Sequence, residues 1–166
     1  VAYQANLVIQ GSQEDLSGIP YYLAELFRQA YTNGARIHSD SWGYDDHGYY
    51  NMDSRSVDQY VWSNRNFLIL VAAGNSGTDS NVVDGVIDPM SVASPATAKN
   101  CLTVGAAENY RTTGGYSTYR WGIELWPSDY PTNPIRSDYA SRPMSNNVQG
   151  LAAFSSRGPC NDGRIK

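Results

Sequence analysis

The run Phe67-Leu68-Ile69-Leu70-Val71-Ala72-Ala73-Gly74-Asn75-Ser76-Gly77 says most about the architecture of this chain. Its large apolar residues, typical of a buried strand, lead into two alanines and a glycine-bounded turn that contains Asn75. Open α/β sheets carry their functional groups at the carboxyl ends of strands, and a fixed carboxamide can donate an N–H to a developing oxyanion. Asn75 is therefore a candidate catalytic residue. The alternative is a turn residue, because Asn tolerates left-handed backbone geometry.

Two β-α units are predicted before this run. Residues 5–10 and 35–40 have the apolar character of short strands, and residues 67–73 supply the third strand. The order β-α-β-α-β with short apolar strands predicts an α/β fold, in which a parallel sheet is flanked by helices and joined by right-handed crossovers.

Both intervening helices carry boundary signals and an apolar face. Ser17 and Pro20 mark the start of the first helix and Asn33-Gly34 its end, while Asp53 is the expected N-cap of the second. The apolar positions at helical spacing are Leu23, Leu26, Phe27 and Ala30 in the first helix and Val57, Tyr60, Val61 and Trp62 in the second.

The second half of the chain is less regular. Residues 101–106 and 151–155 are predicted to be buried strands. Between them, residues 110–148 are rich in Tyr, Pro, Ser and Asn, which indicates a Tyr/Trp-rich surface insertion in one domain spanning residues 1–166. Its aromatic side chains need a surface to pack on. The alternative for this insertion is a carbohydrate- or peptide-binding platform.

Composition excludes several classes of protein. With 166 residues the chain can form a domain with its own core. Its net charge is −4 and its sequence has no block of like charges, so no nucleic-acid partner is expected. No apolar run approaches the roughly 20 residues that span a bilayer, so no membrane partner is expected. Cys101 and Cys160 form either one disulfide or two free thiols.

Three segments together resemble the subtilisin-like serine proteases, or subtilases (peptidase family S8). They are Ser41-Trp42-Gly43, Ala72-Ala73-Gly74-Asn75-Ser76-Gly77 and Phe154-Ser155-Ser156-Arg157-Gly158-Pro159. The stretches 35–43, 98–106 and 162–166 are similar to the alkaline, oxidatively stable bacterial branch of that family. The resemblance covers about residues 1–114 and 149–166, and the order and spacing of its motifs are highly specific.

The resemblance implies roles for the matching residues. Asn75 resembles the oxyanion-hole Asn, whose loss in subtilisin itself costs about 10²–10³ in turnover. Ser41, Trp42 and Gly43 resemble the segment that pairs with the substrate backbone and forms one wall of the S1 pocket. Ala72, Ala73 and Gly74 resemble the opposite wall, where small side chains leave room for a large apolar P1 group. The Ser94-Pro95 bond matches a cis peptide bond of subtilisins.

The departures from the family concern the catalytic triad. Subtilisins order it Asp, His, Ser, so the Asp and His motifs are expected before Val1 and the nucleophile motif after Lys166. The chain is thus predicted to be the central part of the catalytic domain of a serine endopeptidase, with an incomplete subtilisin-like fold. The resemblance also implies a secreted, extracellular enzyme that acts on peptides and proteins.

Two other functions remain open. His38 lies in a predicted strand and is expected to be a packing residue, whereas His47 lies in a loop beside two acids. His47 is expected to be an ordinary surface residue. If it served as base for Ser41 or another loop serine, the fragment would have its own esterase activity, although no Gly-x-Ser-x-Gly elbow is present. The third reading is a non-catalytic binding or structural module.

One loop could hold a structural Ca²⁺, the only cofactor expected. Its candidate ligands are Asp79, Asn81, Asp84 and Asp88. The spacing departs from the EF-hand pattern, so a solvated acidic loop is the alternative. An isolated chain lacking the flanking segments is predicted to expose sheet edge and apolar surface. It should therefore form a homo-oligomer or pair with the rest of the protease.

Overall fold

A computed structural model describes residues 3–11, 22–80, 84–130 and 141–166 of the chain. In chain order these contain α1 (Leu23–Thr32), β1 (Ile37–Asp40), α2 (Met52–Ser63), β2 (Leu68–Ala72), β3 (Leu102–Val104) and a π-helical turn (Trp121–Leu125). Within the described ranges, no helix has the length and apolar character needed to cross a membrane.

The three strands form one parallel sheet in the order β1-β2-β3. Ile37 is paired with Leu68, and Leu70 with Leu102, so the strands run in the same direction with their carboxyl ends at one edge. The connections through α1 and α2 and the short apolar strands confirm the α/β fold predicted from the sequence.

One face of the sheet is covered by the helices. The buried residues of α1 recur at helical spacing, which gives the helix a single apolar stripe. This stripe packs with β2 residues Ile69 and Val71 and with Val57 of α2 in one core. The α1 members of that core are Leu23, Leu26, Phe27 and Ala30.

The opposite face of the sheet is apolar and open. Ile37 of β1, Leu68 of β2, and Leu102 and Val104 of β3 are all exposed. They alternate along each strand with residues of the covered face, because successive side chains point to opposite sides of a strand.

A second core includes described residues of the aromatic segment 110–148 on both sides of positions 131–140. Trp121 and Tyr130 are almost completely buried there, together with Ile87 and the pair Ala152-Ala153. The Tyr130 hydroxyl donates a 2.8 Å hydrogen bond to the carbonyl of Gly77, which ties this core to the turn after β2. Part of the segment thus packs on the domain, while other aromatic residues, among them Tyr116 and Trp126, remain exposed.

Two predicted strands are wrong. Residues 5–10 join no strand of the sheet; Leu7 and Ile9 point into solvent, so the apolar run has no buried face. Leu151 forms only a single antiparallel bridge with Ala107, after which the chain turns through a bond from Ser155 N to Ala152 O. The N–H of Ser155 and the carbonyl of Ala152 bond to each other in this turn, so they are not available to pair with a neighbouring strand.

The N-cap of α2 is Asn51 and not Asp53. Asn51 has extended backbone geometry and its side chain accepts from the N–H groups of Asp53 and Ser54. Asp53 is inside the first turn, where it cannot cap. Trp62, expected on the apolar face of α2, is 70% exposed. The start signals Ser17 and Pro20 lie outside the described residues.

Other details of the sequence prediction agree with the structure. The Ser94–Pro95 peptide bond is cis, which confirms that prediction, and Gly158–Pro159 is also cis. Cys101 and Cys160 are both free thiols, which decides between the two alternatives.

Candidate functional site

The carboxyl ends of the three strands open into one crevice of about 320 Å³. Its lining includes residues from the end of β1, from β2 and the turn after it, and from the chain that leaves β3. They are Ser39, Asp40, Ser41, Leu70, Val71, Ala72, Ala73, Gly74, Asn75, Val104, Gly105 and Ala106. Parallel strands bring their carboxyl ends to one edge, so three distant segments meet here.

Asn75 is one of the residues that line this crevice. Its residue is exposed, and among the described residues its carboxamide makes no hydrogen bond. The turn on either side of it is held by the backbone: Ser156 N donates to Gly74 O at 3.1 Å, and Gly77 N donates to Phe154 O at 2.8 Å. The site therefore offers a free amide N–H on a fixed turn.

Ser156 fixes this turn from behind. Its hydroxyl accepts a 3.1 Å bond from Ser76 N, in addition to its backbone bond with Gly74. Gly74 has φ +109°, and a Cβ added there would lie 2.7 Å from Ser156 Oγ and 2.9 Å from Ala93 Cβ. Only glycine satisfies both the left-handed backbone and this close packing.

Four residues of the predicted pocket walls line the crevice together with Asn75. They are Ser41, Ala72, Ala73 and Gly74. Ala73 is fixed on both sides, because its N–H donates to Val104 O and its carbonyl accepts from Ala93 N, each at 2.8 Å. This wall therefore carries small side chains, and its backbone is held in place at Ala73.

Trp42 and Gly43 do not line the crevice. The indole of Trp42 turns to the α1 side of the sheet, where its Nε1 donates to Asp40 Oδ1 at 3.1 Å. Gly43 lies against the neighbouring chain, and a Cβ there would come within 2.6 Å of the carbonyl oxygen of Ser94. Reciprocal bonds between Tyr44 and Ser94 hold the two segments together.

Comparison with known proteins bears on this arrangement. The sequence pattern of the Subtilase family, peptidase S8, matches residues 1–166. The chain belongs to the subtilase family. Three serine protease/ABC transporter B family proteins of Dictyostelium discoideum are similar to it. They are tagD, 30% identical over 89% of this chain, tagA, 28% over 81%, and tagB, 27% over 89%. The chain spans 10%, 7% and 9% of the length of these relatives, respectively.

The two histidines of this subtilase lie apart from the crevice lining. His38 is in β1 and packs edge-on against Phe27, with its ring centroid 5.2 Å away. His47 is on an exposed loop, where its Nδ1 lies 3.5 Å from Asp45 Oδ1. Neither residue lines the crevice that contains Ser41.

The acids of the candidate calcium loop bind backbone N–H groups. Asp79 is fully buried, and its two oxygens accept from Asp84 N at 3.2 Å and Gly85 N at 3.0 Å. Asp88 accepts from Ser80 N at 2.9 Å. Asn81 lies outside the described residues. Within the described part of the subtilase chain, no three His, Cys, Asp or Glu residues are grouped to hold a metal.

Burial shifts the pKa values of two groups in this part of the molecule, Tyr130 and Glu108. Burial raises the pKa of Tyr130, so its hydroxyl keeps the proton that it donates to Gly77 O. Burial also raises the pKa of Glu108, two residues beyond the crevice residue Ala106, although the charge of Arg142 opposes this shift.

Sequence reasoning missed the residues that support the site. Ser156 was part of a recognised motif but had no predicted role, and only its position in space shows that it fixes the turn at Gly74. The sequence prediction gives Asp40 no role beyond ending a strand. The signal for Asp40 was present, since an acid directly before Ser41 in a buried strand needs a partner.

Proposed function

We propose that this chain is the central part of the catalytic domain of a subtilisin-like serine endopeptidase. The free carboxamide of Asn75, beside small-residue walls where three parallel strands end, carries this proposal. Family membership supports the reaction class, hydrolysis of peptide bonds. The nucleophile, base and orienting acid of the triad are proposed to come from other segments of the full protein.

In this proposal Asn75 stabilises the oxyanion. The serine nucleophile attacks the peptide carbonyl while a histidine takes its proton, and negative charge develops on the carbonyl oxygen. The Asn75 N–H would bind that oxygen. The turn is held by Ser156, so little reorganisation is needed as the charge develops.

The crevice walls are proposed to bind the substrate. Ala72, Ala73 and Gly74 carry little or no side chain, which leaves space for a large apolar P1 group. Ser41 would form the other wall, with the 41–43 segment adding the substrate backbone as an extra strand. Trp42 and Gly43 would contribute through their backbone, since their side chains and contacts lie elsewhere.

Three finer features are also proposed. Residues 35–43 and 162–166 support placement in the alkaline, oxidatively stable bacterial branch, and that resemblance supports a secreted enzyme. A structural Ca²⁺ with Asp79, Asn81, Asp84 and Asp88 as candidate ligands is also proposed, and a calcium titration tests it. A melting temperature that does not move with calcium would rule it out.

The role of Asn75 is tested in the full protein by Asn75→Ala. We expect turnover of a peptide substrate to fall by about 10²–10³, the magnitude known for the corresponding donor in subtilisin, with little change in KM. Asn100→Ala is the matched control, because Asn100 is an exposed Asn at the amino end of β3, away from the crevice. Unchanged turnover in Asn75→Ala would refute the proposal.

A further inference from the structure

Gly77, the last residue of the turn that carries Asn75, is bonded through both of its backbone polar groups. Its N–H donates to the carbonyl of Phe154 at 2.8 Å, and its carbonyl accepts the Tyr130 hydroxyl, also at 2.8 Å. Gly77 is buried, and a Cβ added there would collide with the backbone of residues 153–155. The end of the turn is therefore fixed in position by its two bonds and by close packing.

The Tyr130 side chain is itself held in one orientation. Tyr130 is 2% exposed, and its ring packs edge-on against Trp121 at a centroid distance of 5.9 Å. The Trp121 ring also packs against Phe154, at 5.8 Å. One buried indole thus contacts both of the residues that bond to Gly77, which fixes the direction in which the hydroxyl of Tyr130 points.

A second bond joins the same part of the aromatic segment 110–148 to the chain after the turn. The N–H of Asp79 donates to the carbonyl of Asp129 at 2.7 Å. Asp129 and Tyr130 are adjacent, so two neighbouring residues of the segment hold the chain at Gly77 and Asp79. The aromatic segment is therefore part of the support of the turn and does not only cover the domain surface.

The orientation of Asn75 depends on this support. Among the described residues, the Asn75 carboxamide makes no hydrogen bond of its own, so its direction follows from the backbone of the turn. Ser156 holds the start of the turn, while Tyr130 and Phe154 hold its end at Gly77. A shift at Gly77 would reach Asn75, which lies two residues earlier in the chain.

We propose that Tyr130 is a positioning residue for Asn75, acting through the carbonyl of Gly77. Donors to an oxyanion are effective because they are oriented before the charge develops, and a misplacement of about 1 Å can cost about 10² in rate. This inference rests on the proposed oxyanion role of Asn75. It gives the aromatic segment a part in catalysis without any contact with the substrate.

Tyr130→Phe, measured in the full protein, tests the hydroxyl alone. The substitution keeps the ring against Trp121 but leaves the buried carbonyl of Gly77 without this donor. We expect kcat for a peptide substrate to fall about tenfold while KM changes less than about twofold. Tyr116→Phe is the matched control in the same segment, because Tyr116 is 57% exposed, and it should leave both constants unchanged. An unchanged kcat in Tyr130→Phe would overturn the proposal.

The double variant separates positioning from a merely structural role. In the Asn75→Ala background, Tyr130→Phe should lower kcat by less than about twofold, because the donor that it positions is already absent. A merely structural role would lower the fraction of active enzyme by the same factor in both backgrounds. Equal factors would therefore overturn the proposal.

Amide hydrogen exchange gives a readout that does not depend on activity. The N–H groups of Ser76 and Gly77 donate to Ser156 Oγ and Phe154 O, so they report whether the turn stays closed. In Tyr130→Phe, mass spectrometry of the peptide containing residues 74–78 should show exchange about tenfold faster, with α2 unchanged. Unchanged exchange at the turn, or an equal increase in α2, would overturn the proposal.

Failure of the protease proposal would look different. A wild-type full protein without peptidase activity would refute that proposal and the positioning role that rests on it. The exchange rates at Ser76 and Gly77 would still decide whether Tyr130 holds the turn.

Discussion

At the residue scale, Asp58 shows how one buried carboxylate joins distant segments. Its Oδ2 accepts from the Tyr50 hydroxyl at 2.8 Å and from Lys99 N at 3.0 Å, and its Oδ1 accepts from Asn100 N at 2.7 Å. The bonds connect α2 to the loop before it and to the chain entering β3. Charge-assisted bonds of this kind contribute more than neutral ones, so the packing of α2 depends on this side chain.

The hydrogen bond between Tyr50 and Asp58 is expected to affect how the stability of the protein depends on pH. Burial, followed by the hydrogen bond to Asp58, raises the pKa of Tyr50 to about 12, above the value near 10 of an unfolded tyrosine. The folded protein therefore holds this proton when the unfolded chain has lost it. The contribution is complete below about pH 10 and is lost as the pH rises towards about 12.

The prediction is that Tyr50→Phe removes part of the alkaline loss of stability. Denaturant unfolding at several pH values between about 9 and 12 should show a shallower decline in the variant than in the wild type. Tyr3→Phe, at a tyrosine that is 87% exposed, serves as control and should keep the wild-type slope. Equal slopes for Tyr50→Phe and wild type would show that the Asp58 contact does not hold the proton.

At the element scale, the start of α2 depends on Asn51. Its side-chain oxygen accepts two backbone N–H groups, from Asp53 at 3.0 Å and Ser54 at 3.1 Å, and also the hydroxyl of Ser94 at 2.6 Å. The cap therefore anchors the helix to the segment that pairs with Tyr44, directly after residues 41–43.

We expect Asn51→Ala to lower the free energy of unfolding by about 1 kcal/mol, within the 0.5–2 kcal/mol typical of N-caps. Asp53→Ala should cost less, about 0.5 kcal/mol, because among the described residues the Asp53 carboxylate accepts no capping bond and contributes through the helix dipole. Chemical denaturation of both variants measures the difference. An Asp53→Ala variant that lost as much stability as Asn51→Ala would restore Asp53 as the cap.

The elements that were predictable are those with local signals. The β2 strand is predictable because a short apolar run followed by small residues fits a buried parallel strand. Residues 5–10 carry a similar run, but strand formation also requires a partner, which no local pattern supplies. Boundaries at Asn51 and Asp53 were ambiguous because both residue types can cap.

The site could be predicted from the sequence in part. Once β1 and β2 are parallel neighbours, Ser41 and Asn75 must open towards the same edge, and the structure places both in one crevice. The position of Trp42 could also have been inferred, since it is two residues from the buried Asp40 and must face the same side. The support from Ser156 could not, because 80 residues separate it from Ser76.

At the scale of the whole molecule, the described elements cover one side of the sheet. The helices and the core they form lie on the face that carries Ile69 and Val71. The other face presents Ile37, Leu68 and Leu102, each at least 43% exposed, as one continuous apolar surface across three strands. Apolar faces of this kind mark contacts with another part of the protein or with another chain.

The 166-residue chain alone is therefore predicted to self-associate through this face. Light scattering at micromolar concentration should give a mass above the 18.3 kDa of one chain. The double variant Leu68→Glu and Leu102→Glu should shift the chain towards monomer, because charges would replace adjacent apolar side chains on the face. Met52→Glu is the matched control, since Met52 is 66% exposed but lies on α2, on the other side of the sheet.

The same double variant separates two explanations of the open face. If other segments of the full protein cover it, Leu68→Glu and Leu102→Glu must destabilise the full protein, because two charges would then be buried without partners. If the face is a contact between copies, the full protein should keep its melting temperature and lose only its association. A 166-residue chain that is monodisperse and monomeric without any substitution would contradict the predicted self-association, because an apolar face of three strands would then be stable in water.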